Sequence, residues 1–181
     1  MLAVMAADWR ELVYRALIAL LFGMTVLIVA PSRFVLLFIL YTFADAIAAL
    51  VLAFHVRGQI GFGSALLEGL VRVAAAFMML AMARWPPDAL AKVLAAWAGL
   101  SGIGQIGEAM ALRGEMAGEW PLPIAGALSI VVAAILLTIR HVDMATLAWI
   151  IGIYALLWGV TLMVFAFRFR LLAIEFEIES I

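Results

Sequence analysis

An all-α integral membrane bundle of six transmembrane helices, built from three repeated helical hairpins, is the fold this sequence predicts, on three observations. The 181 residues are 69% hydrophobic and 13% charged, with a mean hydropathy of +1.25, against about half apolar and a quarter charged in an ordinary soluble domain. The apolar residues fall into six runs of helix length, and a crossing needs about 20 residues. None of the runs alternates polar and apolar side chains as a barrel strand does.

The expected spans are 12–30, 34–54, 65–83, 89–112, 122–139 and 144–167, one transmembrane domain over 1–171 with a cytoplasmic tail at 172–181. The first run opens after "MLAVMAADWRE", which has neither a basic start nor a small-residue cleavage site, so an uncleaved first span is expected. Pro31, Pro86, Pro87 and Pro121 stand at breaks, where a missing N–H costs little. The breaks "PSR", "RWPPD" and "RHVD" are tight, whereas "HVRGQIGFGS" and "RGEMAGEWP" are longer. The helices therefore group as pairs over about 12–54, 65–112 and 122–167.

An internal repeat of about 56 residues supports the pairing. The second helices carry "YTFADAI", "WAGLSGI" and "YALLWGV". In each, an aromatic residue (Tyr41, Trp97, Tyr154) is followed four later by Asp45, Ser101 or Trp158, then by Ala46, Gly102 or Gly159. The first helices match through Arg15-Ala16, Glu68-Gly69 and Ala125-Gly126, each followed by Gly23, Ala76 or Ala133. Small residues at fixed places let helices approach closely in lipid. Lys and Arg number six at the side holding both termini (Arg10, Arg15, Arg57, Arg113, Arg168, Arg170) and four opposite (Arg33, Arg84, Lys92, Arg140). Both termini are therefore expected in the cytoplasm.

A net charge of -1 without a basic block excludes a nucleic-acid partner. With no cysteine, disulfides, thiolate metal sites and cysteine nucleophiles are excluded. "GIGQIG" at 102–107 fits a dinucleotide fingerprint literally, but that fingerprint needs a preceding strand; within an apolar run its glycines read as packing positions. His55 and His141 fall at opposite ends of the bundle and cannot share a metal. Ser101 and Ser129 have no His or Lys nearby to activate them and read as helix hydrogen-bonding groups. No cofactor and no enzymatic activity are expected, and the partners are the lipid bilayer, with a second copy or other envelope proteins left open.

Charges inside spans cost roughly 3 kcal/mol each and face the bundle interior or a water-filled cavity. The candidates are Arg15, Asp45, Glu68, Arg72 and Glu108, with Gln105 on the same stripe as Trp97, Ser101 and Glu108. At about 1.5 Å per residue, Arg15, Glu68 and Glu108 lie within about 6 Å of the span ends, Arg72 about 10 Å in and Asp45 about 13 Å in. Glu68 and Arg72 are four apart with the acid first, the favourable order for a helical ion pair. Two readings stand. In one, Asp45, Arg72 and Glu68 line a cytoplasm-facing cavity for protons or a small charged solute, with Gln105 and Glu108 on its wall. In the other, Asp45 and Arg72 form a structural pair that fixes helix register while the shallower charges snorkel.

The stretches "WRELVYRALIALLFG", "LLEGLVRV", "AAWAGLSGIGQIGEAMALR", "GEWPLPIAGALSIV" and "WIIGIYALLWGVTLMVFAFRFR" resemble the HdeD family of bacterial acid-resistance membrane proteins over nearly the whole chain up to Arg170. Ala16 stands where that family's glycine follows an Arg, and Asp45 matches its acidic residue. The resemblance implies six spans in three repeated pairs, a bacterial inner-membrane location and a role under acid or envelope stress; it implies no reaction and no transported substrate. The tail "LLAIEFEIESI" alternates Ile174, Phe176 and Ile178 with Glu175, Glu177 and Glu179, a strand-like period in a segment expected to be a flexible end.

Overall fold

The computed structural model describes the backbone over residues 9–29, 33–55, 57–58, 62–111 and 121–179. Among the described residues six helices follow one another: α1 (Trp9–Val29), α2 (Phe34–His55), α3 (Phe62–Ala81), α4 (Pro87–Ala111), α5 (Pro121–Thr138) and α6 (Met144–Glu179). Among the described residues there is no strand. Four of the six are long and apolar enough to cross a membrane, over Leu12–Val29, Phe34–His55, Pro87–Gly107 and Met144–Arg168. α5 adds a shorter apolar stretch, Pro123–Thr138. Large apolar side chains stand exposed on every helix, including Leu21, Leu40, Phe77, Leu100, Leu137 and Phe167. That outward face suits a chain whose solvent is lipid.

The helix boundaries fall within a few residues of the expected spans except at the C-terminus. There the backbone stays helical through Glu179, so the period-two pattern of the tail is not expressed as a strand; the side chains of 171–181 lie outside the described residues. At 36 residues α6 is roughly 54 Å long, well beyond the 30 Å or so of a hydrocarbon core.

The closest packing does not run within the expected hairpins but between helices of different ones. α1 lies on α6, α2 on α3, and α4 on α5; α1 meets α2 and α5 meets α6 less extensively, and α3 does not pack along α4. All three close pairs are antiparallel and register on small residues. Gly102 of α4 and Gly126 of α5 face each other so closely that a Cβ on Gly102 would stand 2.6 Å from the Gly126 carbonyl oxygen. On α1 and α6, a Cβ at Gly159 would stand 3.1 Å from the Ala16 oxygen, and one at Gly23 2.8 Å from the Gly152 oxygen. Gly69 of α3 sits against Leu50 of α2, beside the buried Ala46. Two of these meetings join repeat positions read from the sequence, Gly102 with Gly126 and Gly159 with Ala16, the second closing α6 back onto α1. Packing of this kind replaces the hydrophobic drive that lipid does not supply.

A core of Phe22, Phe34, Met79, Leu90, Leu94, Leu136 and Leu147 fills the end of the bundle at the α3–α4 turn. Phe22, Phe38 and Tyr41 stack between α1 and α2, with Phe22 and Tyr41 centroids 4.5 Å apart. Asp88, in the first turn of α4, accepts the Val142 N–H at 2.7 Å and so ties the α3–α4 turn to the α5–α6 turn. Hydroxyls of Thr25, Thr42, Thr138 and Thr161 donate to carbonyls three or four residues back, which satisfies them without a partner helix.

Candidate functional site

Four charges from three helices meet in the bundle. Arg72 of α3 donates through Nη1 to Asp45 Oδ2 of α2, a close contact. Through Nε and Nη2 it also donates to Glu68 Oε1, one turn back, at 3.2 and 2.7 Å. Arg15 of α1 reaches the same Glu68 Oε1 through Nη1 at 3.5 Å, and its Nε lies 3.5 Å from Asp45 Oδ1. The quartet is neutral, two guanidinium groups alternating with two carboxylates. Arg15, Asp45 and Arg72 keep a quarter or less of their side chains exposed, whereas Glu68 keeps half.

Local sequence explains the assembly. The i, i+4 spacing sets Glu68 above Arg72 on one face of α3, and the antiparallel crossing at Gly69 and Leu50 brings that face against α2 at Asp45. Asp45 and Arg72 stand at the middle of α2 and α3, roughly 15 Å from the helix ends. Because α1 and α3 begin three residues before the expected spans, Arg15 and Glu68 lie about 9 Å in. Arg15 is an ion-pair partner of Asp45 and Glu68 rather than an isolated charge. At that depth an unpaired charge is costly, so mutual neutralisation is what permits these four residue types together.

The remaining candidates fare differently. No hydrogen bond or ion pair joins Gln105 to the quartet, and its Oε1 is buried without a hydrogen-bond partner among the described residues. The side chain of Glu108 lies outside the described residues. Ser129 is fully buried on α5; its hydroxyl donates to the Ala125 carbonyl at 2.9 Å and lies 2.8 Å from the Tyr154 hydroxyl of α6. With the serine proton so used, Tyr154 is the donor. Sequence reading gave Ser129 the carbonyl bond and missed Tyr154, although Tyr154 is one of the three repeated aromatics. His55 bonds the Val51 carbonyl through Nδ1 at 3.1 Å, and His141 is exposed 4.0 Å from Asp88. Among the described residues no three His, Cys, Asp or Glu side chains are grouped as metal ligands. An open apolar groove of about 220 Å³ between α1 and α2 is lined by Ile18, Leu21, Phe22, Leu37 and Tyr41 among others, and contains none of the four charges.

The middle hairpin departs from the other two at one place. In the first pair Tyr41 stacks on Phe22 of the preceding helix, and in the third Tyr154 bonds Ser129 of the preceding helix. The equivalent Trp97 of α4 is 43% exposed, and α3, which would cover it, is not packed along α4. The two helices meet only near their connected ends, where Met79 and Met82 share a core with Leu90, Ala91 and Leu94. Helical spacing carries the Leu90 and Leu94 face onward to Trp97, Ser101 and Gln105. Trp97, Ser101 and Gln105 thus lie on a stripe of α4 along which α3 is not packed.

A family model described as "Short repeat of unknown function (DUF308)" matches the chain twice, at residues 88–138 and 124–176. The first match runs over α4 and α5 and the second over α5 and α6, so the two overlap on α5; α1, α2 and α3, with all four charges of the quartet, lie outside both. The chain matches no curated protein and no solved structure. Repeats similar to this family, set in long apolar helices, make the chain a multi-pass membrane protein of unknown function.

Proposed function

We propose that this protein is a small non-enzymatic component of a bacterial inner membrane, of the HdeD kind, with six spans and both termini in the cytoplasm, that protects the membrane under acid or envelope stress. Its action is through packing and association, with itself or with other envelope proteins, and not through catalysis. The observation that carries this reading is the closed charge balance of Arg15, Asp45, Glu68 and Arg72. Four intramembrane charges bind one another and tie α1, α2 and α3 together, which is a structural use of charge. The matched repeats over 88–176 support the family part of the reading. The apolar core that Met79, Leu90 and Leu94 share near the α3–α4 turn weighs against its alternative, a path for protons, weak acids or a small solute.

Two measurements test it together. Cells lacking the protein should survive an acid challenge less well than cells carrying it, and proteoliposomes holding it should show proton and weak-acid flux equal to that of empty vesicles. Flux that disappears in Asp45→Asn and Arg72→Ala would replace this reading with the transport one. Survival unaffected by loss of the protein would remove the stress role.

A further inference from the structure

We propose that α6 carries a seam through which two copies of this chain associate side by side, as a parallel coiled coil that runs out of the membrane along the helical extension. This makes specific the self-association named above, and rests on that reading only for the membrane placement of α6.

The residues that the fold leaves outside on α6 define the seam. One side of the helix is taken: Gly152, Ala155, Gly159, Leu162 and Ala166 are buried, and the two glycines sit against Leu27, Leu20 and Ala16 of α1. On the opposite side Ile153, Leu157, Val160, Val164 and Phe167 are each between 37% and 54% exposed. Their spacing of four, three, four and three is that of the a and d positions of a heptad repeat. The same spacing continues to Leu171, Ile174 and Ile178, over which the backbone stays helical. A straight helix drifts about 20° per heptad from such a seam, and the left-handed supercoil of a coiled coil takes up the drift.

Within lipid an outward apolar face needs no partner; beyond lipid this one does. The apolar span ends at Arg168, and residues 169–179 carry the helix roughly 16 Å farther. Left to itself that extension is a poor helix. Its last turn holds no basic residue, Glu175, Glu177 and Glu179 stand at the negative end of the helix dipole, and so short a segment is not sustained by propensity. Burial of positions 171, 174 and 178 against another helix supplies what the local sequence lacks. Charge then selects a second copy as that helix. In the same register Arg170 stands at g and Glu175 at e. In a parallel pair, g of one helix meets e of the other five residues on, so each Arg170 is set against Glu175 of the partner subunit, twice in a two-fold interface. Two copies inserted the same way in one membrane hold their α6 helices parallel, as this pairing requires.

The chain has no cysteine, so single cysteines can be placed one at a time from Leu171 to Ile178 in the full chain, inserted in membranes and oxidised with copper phenanthroline. Disulfide-linked dimer should peak at Leu171→Cys, Ile174→Cys and Ile178→Cys and be several-fold weaker at Ala173→Cys and Phe176→Cys, on the opposite side of the heptad. A second readout is energy transfer between donor- and acceptor-labelled copies in liposomes. Arg170→Glu chains and Glu175→Arg chains should each dimerise about tenfold more weakly than the unmutated chain, because both pairs become repulsive. Mixed together, the two variants should pair at about the unmutated strength, which a bond between these residues within one chain would not produce. Cross-linking that is flat or peaks at 173 and 176, cross-links to other proteins in place of the dimer, or a mixture that pairs no better than either variant alone overturns the proposal. Neither readout involves acid survival or flux, so the seam and the protective role fail separately.

Discussion

Two glycines one turn-half apart on α4 should respond oppositely to the same substitution. Gly102→Ala places a Cβ 2.6 Å from the Gly126 carbonyl oxygen, 2.8 Å from Ile130 and 3.1 Å from Ser129 Cβ, whereas at Gly104 a Cβ meets nothing within 4 Å. Ordinary contact begins at 3.4 Å, so α4 and α5 must part by roughly 0.8 Å, a gap that forfeits a quarter to a half of each dispersion contact along the crossing. The first obstacle is backbone, which no rotamer change can move. Overpacking of this kind costs about 1–3 kcal/mol, whereas Gly104→Ala should gain up to about 1 kcal/mol from helix propensity. Gly126→Ala, whose Cβ would stand 2.7 Å from the Gly102 oxygen, should cost a similar amount. The double variant should cost less than the sum, because one separation of the helices accommodates both methyl groups. Helicity followed through an SDS titration from mild detergent measures each. Gly102→Ala as stable as the unmutated chain, or Gly104→Ala as damaging as Gly102→Ala, would refute the close-approach argument.

The quartet and the α6 cap make two further predictions. Arg72→Met leaves Asp45 with Arg15 alone and should cost about 3–5 kcal/mol in the same titration; Asp45→Leu with Arg72→Met leaves Arg15 and Glu68 to pair and should recover at least half of that loss. A double variant as unstable as the singles added together would show that Asp45 and Arg72 are not coupled. Asp143, just before α6 and outside the membrane-spanning segments, accepts the Thr146 N–H at 2.9 Å through Oδ1, and its bonds with Thr146 hold its carboxyl below the usual range. A carboxyl lowered by folding contributes stability above its unfolded pKa of about 3.9, and loses it as pH falls through the lower folded value. Asp143→Ala should therefore reduce stability at pH 7 and leave little difference from the unmutated chain at the acid end, read as the two melting curves converging. A difference constant with pH would assign the effect to packing.

Some of this was legible along the chain because it depends on local spacing. Hydropathy placed the six helices, since a run of apolar residues between proline-bearing breaks needs no tertiary information to be read as helical. The 56-residue repeat marked Gly102, Gly126 and Gly159 as approach positions, and the i, i+4 spacing marked Glu68 with Arg72. The pairing of Arg15 with Asp45 and Glu68 was not legible, because it joins three helices whose mutual rotation the sequence does not define. Tyr154 was missed because a hydroxyl bond between neighbouring helices depends on their rotation about their own axes, which periodicity in an almost uniformly apolar helix does not define.

Which helices lie against which is a matter of surfaces, and sequence order is a poor guide to it in lipid. Connection lengths suggested that consecutive helices within a pair would be the closest neighbours; instead each second helix packs on the next first helix, and α6 returns to α1. Lipid tails satisfy apolar side chains as well as another helix does, so short loops alone cannot hold two helices together along their length. The backbone approach at small residues can. By itself the sequence determined the helices, their lipid setting and the residues able to touch; the tertiary structure decided that Arg15 completes a neutral quartet with Asp45, Glu68 and Arg72, and that α3 stands away from Trp97, because both depend on how far apart and at what rotation the helices settle.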